Sequence, residues 1–176
     1  MVRPTAAIVF SGLAVCAVSL AACTDNGPPS GQPSFYIDLS QPGTTLDANA
    51  AQSMISGYRA NNGLGPLVID PELMRLASDQ AQAMAARDKL DHDAAHPFAE
   101  RIRKSGYNAK VAVENIGAGY HTLAEAFSGW RDSPPHKANM LNSGVTHMGI
   151  AAVSTPKSKY KVYWSLIMAA PGDRKS

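Results

Sequence analysis

The chain has 176 residues and a mass of 18.6 kDa, which is room for one domain of ordinary size but not for two independent cores. Hydrophobic residues make up 45%, enough to bury a core, which excludes a disordered tail or a collagen-like repeat. Sixteen Lys and Arg against 14 Asp and Glu leave a charge of +2 with no run of five like charges, so nothing argues for nucleic acid as the main partner.

Residues 1–22 read as an export signal. Arg3 gives a short basic start, and Ala6 to Ala22 carries no charge. This stretch is at the short end for a membrane span. It closes on Leu20-Ala21-Ala22-Cys23, which resembles the lipobox of bacterial lipoproteins, where the cysteine is lipidated and becomes the first residue. An uncleaved anchor and an ordinary signal are the alternatives. On the lipoprotein reading Cys16 leaves with the signal and Cys23 carries lipid. The mature domain then has no thiol for a disulfide and must stand on its core alone. The expected location is extracytoplasmic, lipid-anchored to the cell envelope. Thr24 rather than Asp after the cysteine directs the expectation to the outer membrane where the source has two membranes.

Residues 23–46 read as a tether, broken by Pro28, Pro29, Pro33 and Pro42. Phe35-Tyr36-Ile37 is its one apolar patch. The folded domain is expected over 47–172, with a tail at 173–176. Asp47 caps a first helix through Met54, Ile55 and Tyr58 that stops at Asn62-Gly63. Asp70-Pro71 opens a second, with Leu73, Leu76, Ala77, Ala81 and Met84 at helical spacing, running to about Lys89. Pro97 to Ser105 is a short helix turning Phe98 and Ile102 inward. Thr122 and Glu125 form a capping box before Leu123, Phe127 and Trp130. Val111 to Ile116 reads as a short strand, and Met148 to Val153 and Tyr160 to Ala169 as two longer ones. Helices first and strands last argue an α+β fold with a small antiparallel sheet.

The chemistry rests on five histidines and one carboxylate. Glu114 lies in an apolar stretch, so its charge must be paired, hydrogen-bonded or bound to metal; structural pairing and ligand duty stay equally open. His92 and His96 are four apart, but Asp93 stands where a zinc-protease helix needs Glu, and Pro97 interrupts. Ser133 and His136 could be nucleophile and base, yet the glycines of a strained elbow are missing; the simpler reading is that Ser133 caps a turn before Pro134-Pro135. Gly117-Ala118-Gly119 is too short for a phosphate loop.

Six segments in order resemble one family: Tyr58 through Leu67, Leu73 through Met84, Leu90-Asp91-His92-Asp93, Gly106-Tyr107 leading to Glu114-Asn115-Ile116, Trp130 through Leu141, and Met148-Gly149-Ile150-Ala151. Together they are similar to the CAP superfamily of cysteine-rich secretory proteins, venom antigens and plant pathogenesis-related proteins, in its bacterial, SCP-like form. The resemblance covers about residues 47–170. It implies a three-layer α-β-α sandwich and a cleft of two His and two acidic residues, often discussed as a divalent metal site. Carried over, the set is His92, Glu114 and His136, with Ser133 where animal members have a second Glu, as is common in bacterial members. Val113 replaces the glycine before the Glu. Asn115 and Ser133 would support the cleft.

Two imidazoles and one carboxylate would suit zinc with an open position; a metal-free polar cluster tying loops to the sheet is the alternative. For function, the resemblance implies a non-catalytic binding module for a lipid, sterol or envelope polymer. The missing second carboxylate weighs against the other expectation, a metal-assisted, peptidase-like hydrolase using the same cleft. A purely structural envelope protein is the third. Nucleic acid is not expected as a partner.

Overall fold

The computed structural model describes Met1 and residues 31–172. The chain divides into a unit of Met1–Ser30 and a unit of Gly31–Ser176. The expected signal, the lipidated Cys23, the first part of the tether and the 173–176 tail lie outside the described residues.

A 3-10 turn at Ser34–Tyr36 precedes α1 (Ala48–Ala60), whose cap is Asp47 accepting from the amides of Asn49 and Ala50. The short strand β1 (Val68–Ile69) leads into α2 (Pro71–Arg87), capped by Asp70 with Pro71 at its first position. Its far end turns on Asp88, which takes the left-handed backbone at φ +48. Then come α3 (Phe98–Ser105), β2 (Ala109–Ala118), α4 (Leu123–Asp132) behind the Thr122–Glu125 capping box, α5 (Pro134–Met140), β3 (His147–Ser154) and β4 (Val162–Pro171).

The sheet order is β1-β3-β4-β2. β2 and β3 both run antiparallel to β4, and β1 adds a parallel pair on the far side of β3. Alternation along β4 divides the core. Val162, Trp164, Leu166 and Met168 pack with α1, α4 and α5 residues such as Ile55, Trp130 and Met140. Tyr163, Ile167 and Ala169 face the other way, toward Leu73, Leu76, Met84 and Ile102 of α2 and α3. Both faces of β4 are therefore covered, which is why it is buried from Val162 to Ala170 and reads as a largely apolar run. This is a three-layer arrangement of mixed α+β type.

α2 lies very close to the sheet. A Cβ on Gly149 of β3 would fall 2.0 Å from the Leu73 carbonyl carbon, so only glycine admits the helix backbone here.

Two expectations change, and one strand was not foreseen. β2 spans ten residues rather than a short strand. The turn expected at Pro134-Pro135 is the first turn of helix α5; Ser133 stands at its N-cap position but makes no side-chain capping bond. β1 carried no sequence pattern, being two residues long.

Candidate functional site

β2 is an edge strand, and this decides the site. Alternation sends adjacent side chains to opposite layers. Glu114 turns to the α2/α3 face, where Ser165 Oγ lies 3.4 Å from its Oε1. Asn115 turns to the α5 face, where its Nδ2 donates to the His136 carbonyl at 3.0 Å. Asn139 of α5 donates to the Glu114 carbonyl at 3.0 Å and to Asn115 Oδ1 at 2.9 Å. These bonds satisfy backbone at the sheet edge and pin α5 there, so a side chain on α5 and a loop from the opposite layer can meet across the edge.

The loop from the opposite layer joins α2 to α3 and carries His92. Fully buried Gln80 donates to the carbonyls of Asp91 and His92 at 2.7 and 3.0 Å and accepts from the Ala95 amide. Arg101 of α3 donates through Nε to the His96 carbonyl and through Nη2 to the His92 carbonyl. Its Nη2 also reaches Glu114 Oε1 at 2.8 Å. Both side chains of that ion pair are nearly inaccessible, at 4% and 2%. The second carboxylate oxygen, Oε2, bonds His92 Nδ1 at 2.9 Å, while the His92 side chain itself is 54% exposed. The charge of Glu114 is thus matched in the interior by Arg101 and at the surface by His92.

The two imidazoles feel this arrangement in opposite ways. The hydrogen bond to Glu114 raises the His92 pKa above its ordinary value, against some desolvation. Burial lowers that of half-buried His136, and charge on His92 lowers it further. His92 and His136 therefore share one electrostatic neighbourhood.

His96 lines a cavity of about 260 Å³ between α2 and α3. His121 lies 4.0 Å from Asp38, and His147 Nδ1 is 2.8 Å from Thr146 Oγ1. Ser133 is half-buried at the junction of α4 and α5, its carbonyl accepting from the Lys137 amide.

The side chains as arranged do not fit a three-ligand zinc site. Glu114 gives one oxygen to a guanidinium and the other to His92 Nδ1, which makes it an orienting partner of the imidazole. Among the described residues no group of three His, Cys, Asp or Glu side chains is placed to hold a metal ion.

Sequence reasoning missed Arg101, Gln80 and Asn139. Arg101 did leave a signal: it falls beside Phe98 and Ile102 on the inward face of α3, and a charge on the apolar face of a helix needs a buried partner. The Phe98 ring flanks it, 5.2 Å from the guanidinium carbon.

Comparison with known proteins places this arrangement in a class. The profile of the CAP family, described as the cysteine-rich secretory protein family, matches residues 52–168, and the chain belongs to that family. Both cysteines of this chain, Cys16 and Cys23, precede the matched region. The chain is 34% identical over 125 residues to the uncharacterized protein YkwD of Bacillus subtilis, a match covering 63% of this chain. It spans about half the length of that relative, 48%. Its fold is similar to that of an extracellular SCP-domain protein of Bacillus anthracis, with TM-score 0.60 and 20% identity over 69% of this chain and 39% of that one. It is likewise similar to an outer surface protein of Borrelia burgdorferi, with TM-score 0.62 and 20% identity over 74% of this chain and 99% of that one.

Proposed function

We propose that this chain is an extracytoplasmic CAP domain, held to the envelope by lipid on Cys23, that binds an envelope polymer without turning it over. The observation that carries the reading is the commitment of Glu114. A general base or a metal-bound carboxylate needs a free oxygen near the reacting atom. Here both oxygens are engaged, by Arg101 and His92. What reaches solvent is a half-exposed imidazole held in one orientation, with a second, half-buried one near enough to feel its charge, and such groups suit recognition of a polar ligand. The polar character of this cleft favours a polymer over the lipid and sterol ligands also implied by the resemblance. Location outside the cytoplasm is supported by the names of the relatives, an extracellular protein and an outer surface protein. Among the described residues no helix is long and apolar enough to cross a membrane; the reading of attachment rests on Leu20-Ala21-Ala22-Cys23.

The test is co-sedimentation of the full chain, purified in nonionic detergent, with isolated cell-wall sacculi, alongside an assay for soluble fragments. The reading expects retention without release, and retention weakened about tenfold by His92→Gln or His136→Gln, the loss of one good hydrogen bond to a ligand. Release of fragments by the wild type and not by Glu114→Gln would make the chain a hydrolase. In cells, Cys23→Ser should move the protein to the soluble fraction or leave it unprocessed; membrane retention with normal processing would remove the anchor.

A further inference from the structure

The C-terminal end of α2 and the turn between β3 and β4 meet at one carboxylate. Asp88 accepts from the Lys159 amide with both oxygens, at 3.1 and 3.2 Å, and from the Tyr163 hydroxyl. This clasp sets Arg87 and Lys89, on either side of Asp88, next to a turn that carries Lys157, Lys159 and Lys161. All five basic side chains are exposed. Lys89 pairs with Asp91 at 2.8 Å, and among the described residues the other four make no ion pair. With Asp88 and Asp91 counted, the patch carries +3, more than the +2 of the whole chain.

The backbone adds a second observation. Among the described residues only Asp88 and Lys161 take positive φ without being glycine, at +48 and +63. Both belong to this patch. Asp88 is the left-handed cap that ends α2. The Lys161 amide bonds Ser158 Oγ and its carbonyl accepts from the Thr155 amide, which closes the β3–β4 turn on this residue; its side chain makes no hydrogen bond or ion pair among the described residues, so a lysine stands where glycine or asparagine would serve the turn as well. Its charge is what distinguishes it. In sequence the patch leads through Leu90 and Asp91 to His92.

We propose that Arg87, Lys89, Lys157, Lys159 and Lys161 form a docking surface for a linear polyanion of the envelope, one whose backbone carries phosphate or carboxylate groups. The inference rests on the binding reading above and names the chemical class of its ligand. A chain of regularly spaced anions can bridge the turn and the helix end and continue toward His92, while releasing counterions as it binds. A bilayer is the poorer occupant: Leu90 is the only large apolar side chain strongly exposed here, the other described ones being Tyr36 and Val68 on different elements and terminal Met1.

The probe is long-chain polyphosphate, with orthophosphate and uncharged dextran alongside, titrated against the full chain in nonionic detergent. Polyphosphate should bind, orthophosphate and dextran should not, and binding should weaken steeply as salt rises. The combined variant Lys157→Ala, Lys159→Ala, Lys161→Asn should lose about 100-fold in affinity, each lysine near an anionic surface being worth a several-fold factor. Asparagine keeps the left-handed backbone accessible, and an unchanged melting temperature verifies the fold. Arg103→Ala, Lys104→Ala, Lys110→Ala removes the same charge elsewhere and should bind like wild type. Equal losses in the two variants, or absence of polyphosphate binding, would overturn the proposal. Sacculi separate the two readings. A patch variant that sediments like wild type removes the patch and leaves the binding module. Failure of the wild type to sediment, with polyphosphate binding intact, removes the binding module and leaves the patch.

Discussion

Arg59 and Arg101 are the two buried arginines of the domain, 2% and 5% exposed, and they do different things. Arg59 meets no carboxylate. Its Nε donates to the Gly65 carbonyl, its Nη1 to the carbonyls of Met140 and Asn142, and its Nη2 to that of Val145. Four backbone acceptors from two loops are thereby satisfied by one side chain on α1. Burial pushes this guanidinium below its ordinary pKa, as expected for a cation with dipoles and no counter-charge around it. Arg101 instead faces a buried carboxylate whose other oxygen leads to an imidazole at the surface, and its Nη1 has no partner among the described residues. The first arrangement ends inside the protein. The second begins inside and ends at the half-exposed ring of His92. Burial of a charge is common to both, so burial alone does not mark a site; the path to solvent does.

Removing Arg59 should have the largest effect. Arg59→Ala orphans four carbonyls at once, and we expect a loss of about 4 kcal/mol in urea unfolding. Where the variant is still folded, ligand retention should match wild type. A loss under about 1 kcal/mol would show that water replaces the guanidinium and that the knot is not structural.

Arg101→Met should cost somewhat less, about 3 kcal/mol, because Glu114 keeps His92 and Ser165 as partners. Here binding should fall as well. Adding Glu114→Leu should restore most of the stability and none of the binding, since an apolar pair replaces a buried ion pair at little cost. Restoration of binding in the double variant would make the pair a packing device like Arg59.

No effect at all is expected from a reducing agent. The chain has no cysteine after Cys23, so its melting temperature should not move, whereas a lost disulfide costs about 2–5 kcal/mol.

The comparison also shows what the sequence made legible. Asp70-Pro71 and Thr122–Glu125 marked helix starts because capping is local chemistry, read within four residues. His92, Glu114 and His136 could be named because their motifs occur in family order. The arginines could not. Arg59 sits in a run that reads as an ordinary helix end, and its partners are as far away as residue 145. β2 looked short because Lys110 at one end and Gly117-Ala118 at the other break its apolar pattern; the strand continues through them because its backbone pairs with β4 from Ala109 to Ala118. β1 pairs through backbone alone, the Val68 amide to the Thr146 carbonyl and the Asp70 amide to that of Met148, which leaves no side-chain signature. The prolines that suggested a turn at 134–135 fit equally well in the first turn of α5, where their missing amides are not needed.

The central claim is that Glu114, held by Arg101, fixes the His92 ring, and that the charge on His92 is felt at His136, which sets the two imidazoles apart. Its consequence for stability has opposite signs at the two residues. His92, raised when folded, adds stability below its unfolded value of 6.5 and loses it as pH rises through the folded value. His136, lowered when folded, withdraws stability as pH falls through 6.5. The most direct measurement is the NMR titration of both rings in wild type and Glu114→Gln. The account predicts His92 titrating above 6.5 and His136 below it in the wild type, with Glu114→Gln drawing His92 down and letting His136 rise. Two rings that both titrate at the ordinary imidazole value, unmoved by Glu114→Gln, would contradict it.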